Sequence, residues 1–218
     1  MYARLGLAEG VTWPRVLGAE ATGVIQACPG GEFAPGQQVA ALAEGMGRVF
    51  DGGYAEYTCV PVSQVVPFAS SLNWPTLGAI PVMLLTANGS LDVGLDAKAS
   101  QTLLVRGGTS SIGMLTAVLA KRLGMTVLST TRNPAKVKSL DDIGIDHVVI
   151  DGGSVTGAVR QLCPDGVDAA LELIGTPTLP TRLVGSGSTA LCVSPGYFPT
   201  SGRLKSSIRS TTSHEAFG

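Results

Sequence analysis

Apolar positions follow two rhythms along the chain. In the first seventy residues they fall in short runs, Ala21–Ala27, Gln38–Leu42, Tyr54–Val60 and Val65–Pro67, separated by Pro29-Gly30-Gly31, Pro35-Gly36 and Gly52-Gly53. Short apolar runs punctuated by glycine and proline predict strands of a small barrel or sandwich. From Asn73 the period lengthens: Leu77, Ile80, Leu84, Ala87 and Leu91 recur at helical spacing, with Asn73 as N-cap and Pro75 in the first turn. The remainder alternates. Strands are predicted at Thr102–Val105, Thr126–Thr130, His147–Ile150, Val167–Leu173 and Ser188–Val193, and helices at Ile112–Leu123, Pro134–Ile143, Val155–Leu162 and about Pro177–Val184. Such alternation predicts an α/β fold with a doubly wound parallel sheet. In the first of these helices Ile112, Leu115, Leu119 and Leu123 share one face, and Gly124 supplies the stop. Beyond Pro195 the periodicity fades, leaving Leu204–Ile208 as a weak candidate for a sixth strand. The predicted organisation is a β domain over 1–72, a linking helix over 73–98 and a nucleotide-binding domain over 99–218, incomplete at its C-terminal end.

The chemistry concentrates where the first buried strand of the second part turns into its helix. Gly107-Gly108-Thr109-Ser110-Ser111-Ile112-Gly113 follows Leu103–Arg106 and opens an amphipathic stretch. A glycine-rich strand–helix turn aims backbone N–H groups and the positive helix end at one point, where a pyrophosphate sits. Ser110 to Ile112 are expected to present N–H groups to phosphate, and Gly113 to let the helix pack tightly on the sheet. The motif departs from G-x-G-x-x-G and is weak alone; the strand before it and the helix and strand after it strengthen it. After the second strand comes Thr130-Thr131-Arg132-Asn133-Pro134-Ala135-Lys136, with two cations and no carboxylate. An acidic residue here would accept from ribose hydroxyls and repel a 2′-phosphate, whereas Arg132 and Lys136 do the reverse. The predicted cofactor is therefore NADPH, with Thr131 beside those cations.

Composition narrows the partners. Fifteen basic and sixteen acidic residues give a net charge of −1, so nothing points to nucleic acid or an anionic membrane surface. The longest apolar run, near Ala79–Leu85, is too short to span a bilayer, and a cytoplasmic setting is expected. Cys28, Cys59, Cys163 and Cys192 form no C-x-x-C pair and read as small buried hydrophobes in a reducing compartment. Tyr54 and Tyr57 are expected to pack within the β domain. Asp141, Asp142, Asp146 and Asp151 read as solvated turn and helix-end residues.

Four motifs in order, Pro14–Ile25, Pro35-Gly-Gln-Gln-Val39, Gly52–Tyr57 and Leu103–Gly113, carry a resemblance over nearly the whole chain up to about Ser194. The chain resembles the zinc-independent quinone oxidoreductase branch of the medium-chain dehydrogenase/reductase superfamily. The resemblance implies a partial GroES-like β domain before a Rossmann-type NADPH-binding domain, with the active site in the cleft between them. Zinc dehydrogenases of the superfamily carry Gly-His-Glu where this chain has Gly18-Ala19-Glu20, and their closely spaced structural cysteines have no counterpart. His147 and His214 lie in the nucleotide domain and the tail, so no metal is expected. Without a Lewis acid, reduction rests on positioning the nicotinamide against an electron-poor acceptor, a quinone or enone. Tyr2 matches a tyrosine that relatives place near the nicotinamide, either as proton donor or as cleft wall. Thr86 matches a threonine there, and Asn88 replaces an aromatic residue. These two are the candidate catalytic residues. A trans-enoyl reductase of lipid or polyketide synthesis and a non-catalytic NADP(H)-binding module stand as alternatives. Relatives often pair through the last strand of the nucleotide sheet, so a homodimer is an expectation. Relatives also begin upstream of Met1 and return to complete the β domain, which makes the chain look truncated at both ends.

Overall fold

The computed structural model describes residues 3–6, 10–42 and 45–175 and the backbone of 184–192. The chain divides into two units, Met1–Leu85 and Thr86–Gly218. In the first, β1 (Glu20–Val24), β2 (Gln38–Leu42) and β3 (Val65–Pro67) form an antiparallel sheet in that order. The register runs from Glu20 opposite Leu42 to Val24 opposite Gln38. Ile25 N–H donates to Gln37 at 3.0 Å, and the chain then turns at Cys28–Gly31, so the first strand is shorter than the apolar run predicts.

The predicted strand Tyr54–Val60 is absent. The N–H groups of Gly52, Gly53 and Tyr54 donate to the carbonyls of Val16, Gly18 and Leu17 at 2.8, 3.1 and 2.9 Å. A Cβ on Gly53 would lie 2.1 Å from the Glu20 carbonyl oxygen, so only glycine lets these backbones meet. Past this contact no described strand runs alongside to accept a ladder. Tyr54 and Tyr57 are 77% and 74% exposed, so they do not pack within the β domain. Cys59 is likewise exposed rather than buried, while Cys28 and Cys163 are half-buried, and all three are free thiols.

The predicted helix over 73–98 is two helices. Asn73 Oδ1 accepts the Thr76 N–H at 2.9 Å and caps α1 (Trp74–Gly78). Pro81 cannot donate to a continuing ladder and bars helical backbone before it, so α2 (Pro81–Gly89) starts afresh. Glu20 Oε2 receives the Val82 N–H at 2.8 Å, placing a carboxylate at the positive end of α2. One wide π turn, Ser90–Gly94, follows.

Among its described residues the second unit carries a five-stranded, wholly parallel sheet: β4 (Thr102–Arg106), β5 (Thr126–Thr131), β6 (His147–Ile150), β7 (Val167–Glu172) and β8 (Val184–Cys192), in the order β6-β5-β4-β7-β8. This is the doubly wound Rossmann-type arrangement. Its helices are α3 (Ser111–Leu123), α4 (Val137–Asp141) and α5 (Thr156–Leu162). Alternate residues of β4 serve two cores: Leu103 and Val105 pack with Ala117, Ala120 and Leu140, whereas Leu104 packs with Val155 and Val159. Helices therefore cover both faces.

The stripe of α3 differs from the predicted one. Its buried residues are Gly113, Thr116, Ala117 and Ala120, while Leu123 is 43% exposed. Small residues bring the helix axis close to the sheet, and the larger side chains flank the contact. Gly124 ends α3 in the left-handed region at φ +88°, as its position predicts. The predicted helix over 134–143 shortens to a 3₁₀ turn, Pro134–Lys136, followed by α4. β8 starts four residues before the predicted Ser188; residues 177–183 and the weak strand Leu204–Ile208 lie outside the described residues. Among the described residues no helix is long and apolar enough to cross a membrane.

Candidate functional site

The carboxyl ends of β4, β5, β6 and β7 gather the chemistry of the second unit. β4 ends at Arg106, and Gly107 turns the chain at φ +85°. Thr130 holds the loop down, its Oγ1 accepting the Gly107 N–H at 3.1 Å and its carbonyl accepting the Gly108 N–H at 3.0 Å. A Cβ on Gly108 would lie 1.8 Å from Ser129 Oγ, so the loop rests directly on β5. Ser110 is the N-cap of α3: its Oγ accepts the Gly113 N–H at 3.1 Å and donates to the Gly107 carbonyl at 2.8 Å.

This cap divides the loop's donors. Ser110 N–H donates to Gly107 at 3.0 Å, so it is spent inside the loop, a correction to the expectation that it faces phosphate. The N–H groups of Thr109, Ser111 and Ile112 have no acceptor among the described residues. Three open donors at the start of a thirteen-residue helix fit the anionic bridge of a dinucleotide. Gly113 is pinned from behind, because a Cβ there would meet the Gly107 oxygen at 2.6 Å and Gly108 Cα at 2.9 Å.

At the end of β5, Thr131 is buried and its Oγ1 accepts the Asn133 N–H at 3.2 Å, shaping the turn. Asn133 Oδ1 in turn accepts from Ala135 N–H at 3.0 Å. Arg132 and Lys136 are both exposed on either side of this turn, and neither makes a hydrogen bond or ion pair among the described residues. Two exposed cations, of which Arg132 also acts through its charge on Asp151, beside a floor of open N–H groups fit a ribose bearing a phosphate. Thr86 is buried on α2, where its carbonyl accepts from Ser90 Oγ at 2.7 Å. Tyr2 lies outside the described residues.

Sequence reasoning missed the most strongly bound group of the site. Arg106, 4% exposed, donates from Nε to Asp151 Oδ2 at 2.8 Å and from Nη2 to Asp151 Oδ1 at 3.0 Å. Nη2 also donates to the Gly153 carbonyl at 3.0 Å, and Nη1 lies 3.8 Å from Glu172 Oε2. Glu172 Oε1 receives the N–H groups of Ile174 and Gly175 at 2.7 and 3.3 Å. Asp151 is thus buried and paired, not a solvated turn residue. The hydrogen bonds from Arg106 hold its carboxyl below the usual carboxylate range, and the same bonds raise the guanidinium further. The signal was in the sequence: an arginine closing the apolar run Leu103–Val105 must bring carboxylates with it. Asp146 is also engaged, with Oδ1 2.6 Å from Lys121 Nζ and Oδ2 accepting the Val127 N–H. Among the described residues no group of three or more His, Cys, Asp or Glu side chains is placed to hold a metal.

Comparison with known proteins agrees with both halves. Residues 1–70 match the alcohol dehydrogenase GroES-like domain and residues 111–201 match the zinc-binding dehydrogenase family. A probable quinone oxidoreductase of Leishmania amazonensis is 31% identical over 129 residues, 58% of this chain and 37% of that protein. The putative quinone oxidoreductase YhfP of Bacillus subtilis is 26% identical over 180 residues, 78% of this chain and 53% of that protein. Lovastatin diketide synthase of Aspergillus terreus is 27% identical over 79% of this chain and 7% of its own length. Among solved structures, mycobacterial Rv1454c complexed with NADPH superposes with a TM-score of 0.76 at 25% identity, covering 88% of this chain and 59% of that one. The chain spans about half the length, or less, of the curated relatives it matches.

Proposed function

Because the chain belongs to the medium-chain dehydrogenase/reductase superfamily, on its quinone-oxidoreductase-like branch, we propose that it is an NADPH-dependent oxidoreductase acting on a quinone or conjugated carbonyl. The observation that carries this reading is the pairing of open N–H groups at Thr109, Ser111 and Ile112 with the exposed cations Arg132 and Lys136. Bound NADPH supplies the hydride. Thr109, Ser111 and Ile112 hold its diphosphate through backbone N–H groups. Gly107, Gly108 and Gly113 keep that loop flat against β5 and α3, and Ser110 fixes its shape. Thr131 sets the turn from which Arg132 and Lys136 neutralise a 2′-phosphate. Thr86 and Tyr2 are assigned to the nicotinamide end by the resemblance, Tyr2 as proton donor or cleft wall. Reduction proceeds without zinc in this reading, since Ala19 stands where zinc dehydrogenases of the superfamily carry a ligand histidine. The match to a diketide synthase favours a trans-enoyl thioester as the second acceptor to try.

The test is steady-state oxidation of NADPH, followed by nicotinamide absorbance, with a quinone and a trans-enoyl thioester in parallel. Turnover with the quinone in excess of the thioester is the expected result. The opposite ratio assigns the chain to enoyl reduction, and folded protein that oxidises NADPH with neither acceptor overturns the enzymatic reading.

A further inference from the structure

We propose that Arg106 sets cofactor choice without touching the cofactor: by holding Asp151 in a bidentate ion pair, it removes a carboxylate's field from the strand end where Arg132 and Lys136 receive a 2′-phosphate. This rests on the NADPH reading above. The sheet order β6-β5-β4 places β5 between the strand that carries Arg106 and the strand that ends before Asp151. Ile150 is paired with Thr131, and Asp151 N–H donates to the Thr131 carbonyl at 2.8 Å. Arg132 is the next residue, so the Asp151 backbone is tied to the residue that launches the 2′-phosphate cation.

A free carboxylate there would do two things. It would draw Arg132 into an ion pair and take it away from the ligand. It would also repel the 2′-phosphate, as acidic residues at strand ends do in sites that prefer the unphosphorylated dinucleotide. Neither occurs while both Asp151 oxygens are taken, Oδ2 by Arg106 and Oδ1 by Arg106 and the Gly153 N–H at 2.9 Å. Arg132 lies close enough for its charge to act on the Asp151 carboxylate, yet among the described residues it makes no hydrogen bond or ion pair with it. Arg106 and Asp151 side chains are 5% and 3% exposed, so their contact is little screened by salt. Glu172, opposite Arg106 on β7, is the second carboxyl beside the same guanidinium, and its Oε1 is occupied by the 174–175 turn.

The test measures Kd for NADPH and NADH by nicotinamide fluorescence in wild type, Arg106→Gln, Asp151→Asn and the double variant, with thermal unfolding recorded for each. In Arg106→Gln the NADPH/NADH affinity ratio is expected to fall about tenfold, mainly through weaker NADPH binding, as one unscreened charge several ångströms away requires. The double variant is expected to return the ratio to within about threefold of wild type, and Asp151→Asn alone to raise it. A purely structural role would weaken both dinucleotides together and leave the ratio fixed, which overturns the proposal. Should Arg106→Gln not fold, an unchanged ratio in folded Asp151→Asn overturns it equally. If wild type itself does not prefer NADPH and Arg132→Glu changes nothing, the NADPH reading falls as well. A wild-type preference lost in Arg132→Glu but insensitive to Arg106 and Asp151 overturns only this inference.

Discussion

Replacing Arg106 by methionine is expected to cost the nucleotide-binding unit about 3–5 kcal/mol, the usual penalty for stripping one partner from a buried ion pair. The guanidinium is the common partner of Asp151 and Glu172, both almost fully buried, and it also satisfies the Gly153 carbonyl. Removing it leaves Asp151, among the described residues, with the Gly153 N–H and the more distant charge of Arg132, and Glu172 with the N–H groups of the 174–175 turn. The pair Arg106→Met with Asp151→Asn is expected to recover part of the loss, because the uncompensated charge goes with the second change. Urea unfolding with an unchanged denaturant slope checks both values. A cost under about 1 kcal/mol would mean the pair behaves as an exposed one. The acid limb follows from the same contact. Arg106 lowers the Asp151 pKa in the folded state, so the stabilisation is fully present above the unfolded value of about 3.9 and is lost as pH falls through the folded value. Wild type should therefore lose stability in that acid window, and Arg106→Met should show a shallower decline there.

Gly113→Ala is the second large effect. One methyl group would sit 2.6 Å from the Gly107 carbonyl oxygen and 2.9 Å from Gly108 Cα, both backbone atoms without a rotamer in which to retreat. The loop must lift from α3, at about 1–3 kcal/mol of overpacking strain. Lifting it breaks the Ser110 cap on Gly113 and moves the open donors of Ser111 and Ile112. NADPH affinity is expected to fall at least about tenfold, equivalent to about 1.4 kcal/mol, with a lowered melting temperature, measured by fluorescence titration and thermal unfolding. Unchanged affinity would show that the ligand does not rest on this loop. Gly152→Ala, where a Cβ meets nothing within 4 Å, is the matched control for adding a methyl group near the strand ends.

Much of this architecture was legible because its signals are local. The alternation of apolar strands with helical stretches placed β4 to β7 within a residue or two, Asn73 and Gly124 marked a start and a stop, and the glycines before α3 marked the loop. What escaped depends on neighbours distant in sequence. Tyr54–Val60 alternates like a strand, but a strand needs a partner ladder, and Gly52, Gly53 and Tyr54 instead spend their N–H groups on residues 16–18. The α3 stripe was misplaced because close helix–sheet packing selects small residues, which a hydrophobic count passes over. Pro81, visible in the sequence, should have divided the linking helix. At the site the open donors of Ser111 and Ile112 were anticipated, whereas Thr109 was not expected as a donor and the N–H of Ser110 is taken by the loop itself. Asp151 looked like a solvated turn residue because its partner lies 45 residues away on another strand.

On the proposed function, the loop over Gly107–Gly113 and the cations at Arg132 and Lys136 form one NADPH site. Titrating wild type and Arg132→Glu with NADPH and NADH, followed by nicotinamide fluorescence, addresses it most directly. Wild type should bind NADPH at least about tenfold more tightly than NADH, and Arg132→Glu should lose that preference by abolishing the phosphate's partner while leaving NADH binding in place. Equal affinity for the two dinucleotides in wild type, or a preference that survives Arg132→Glu, would contradict it.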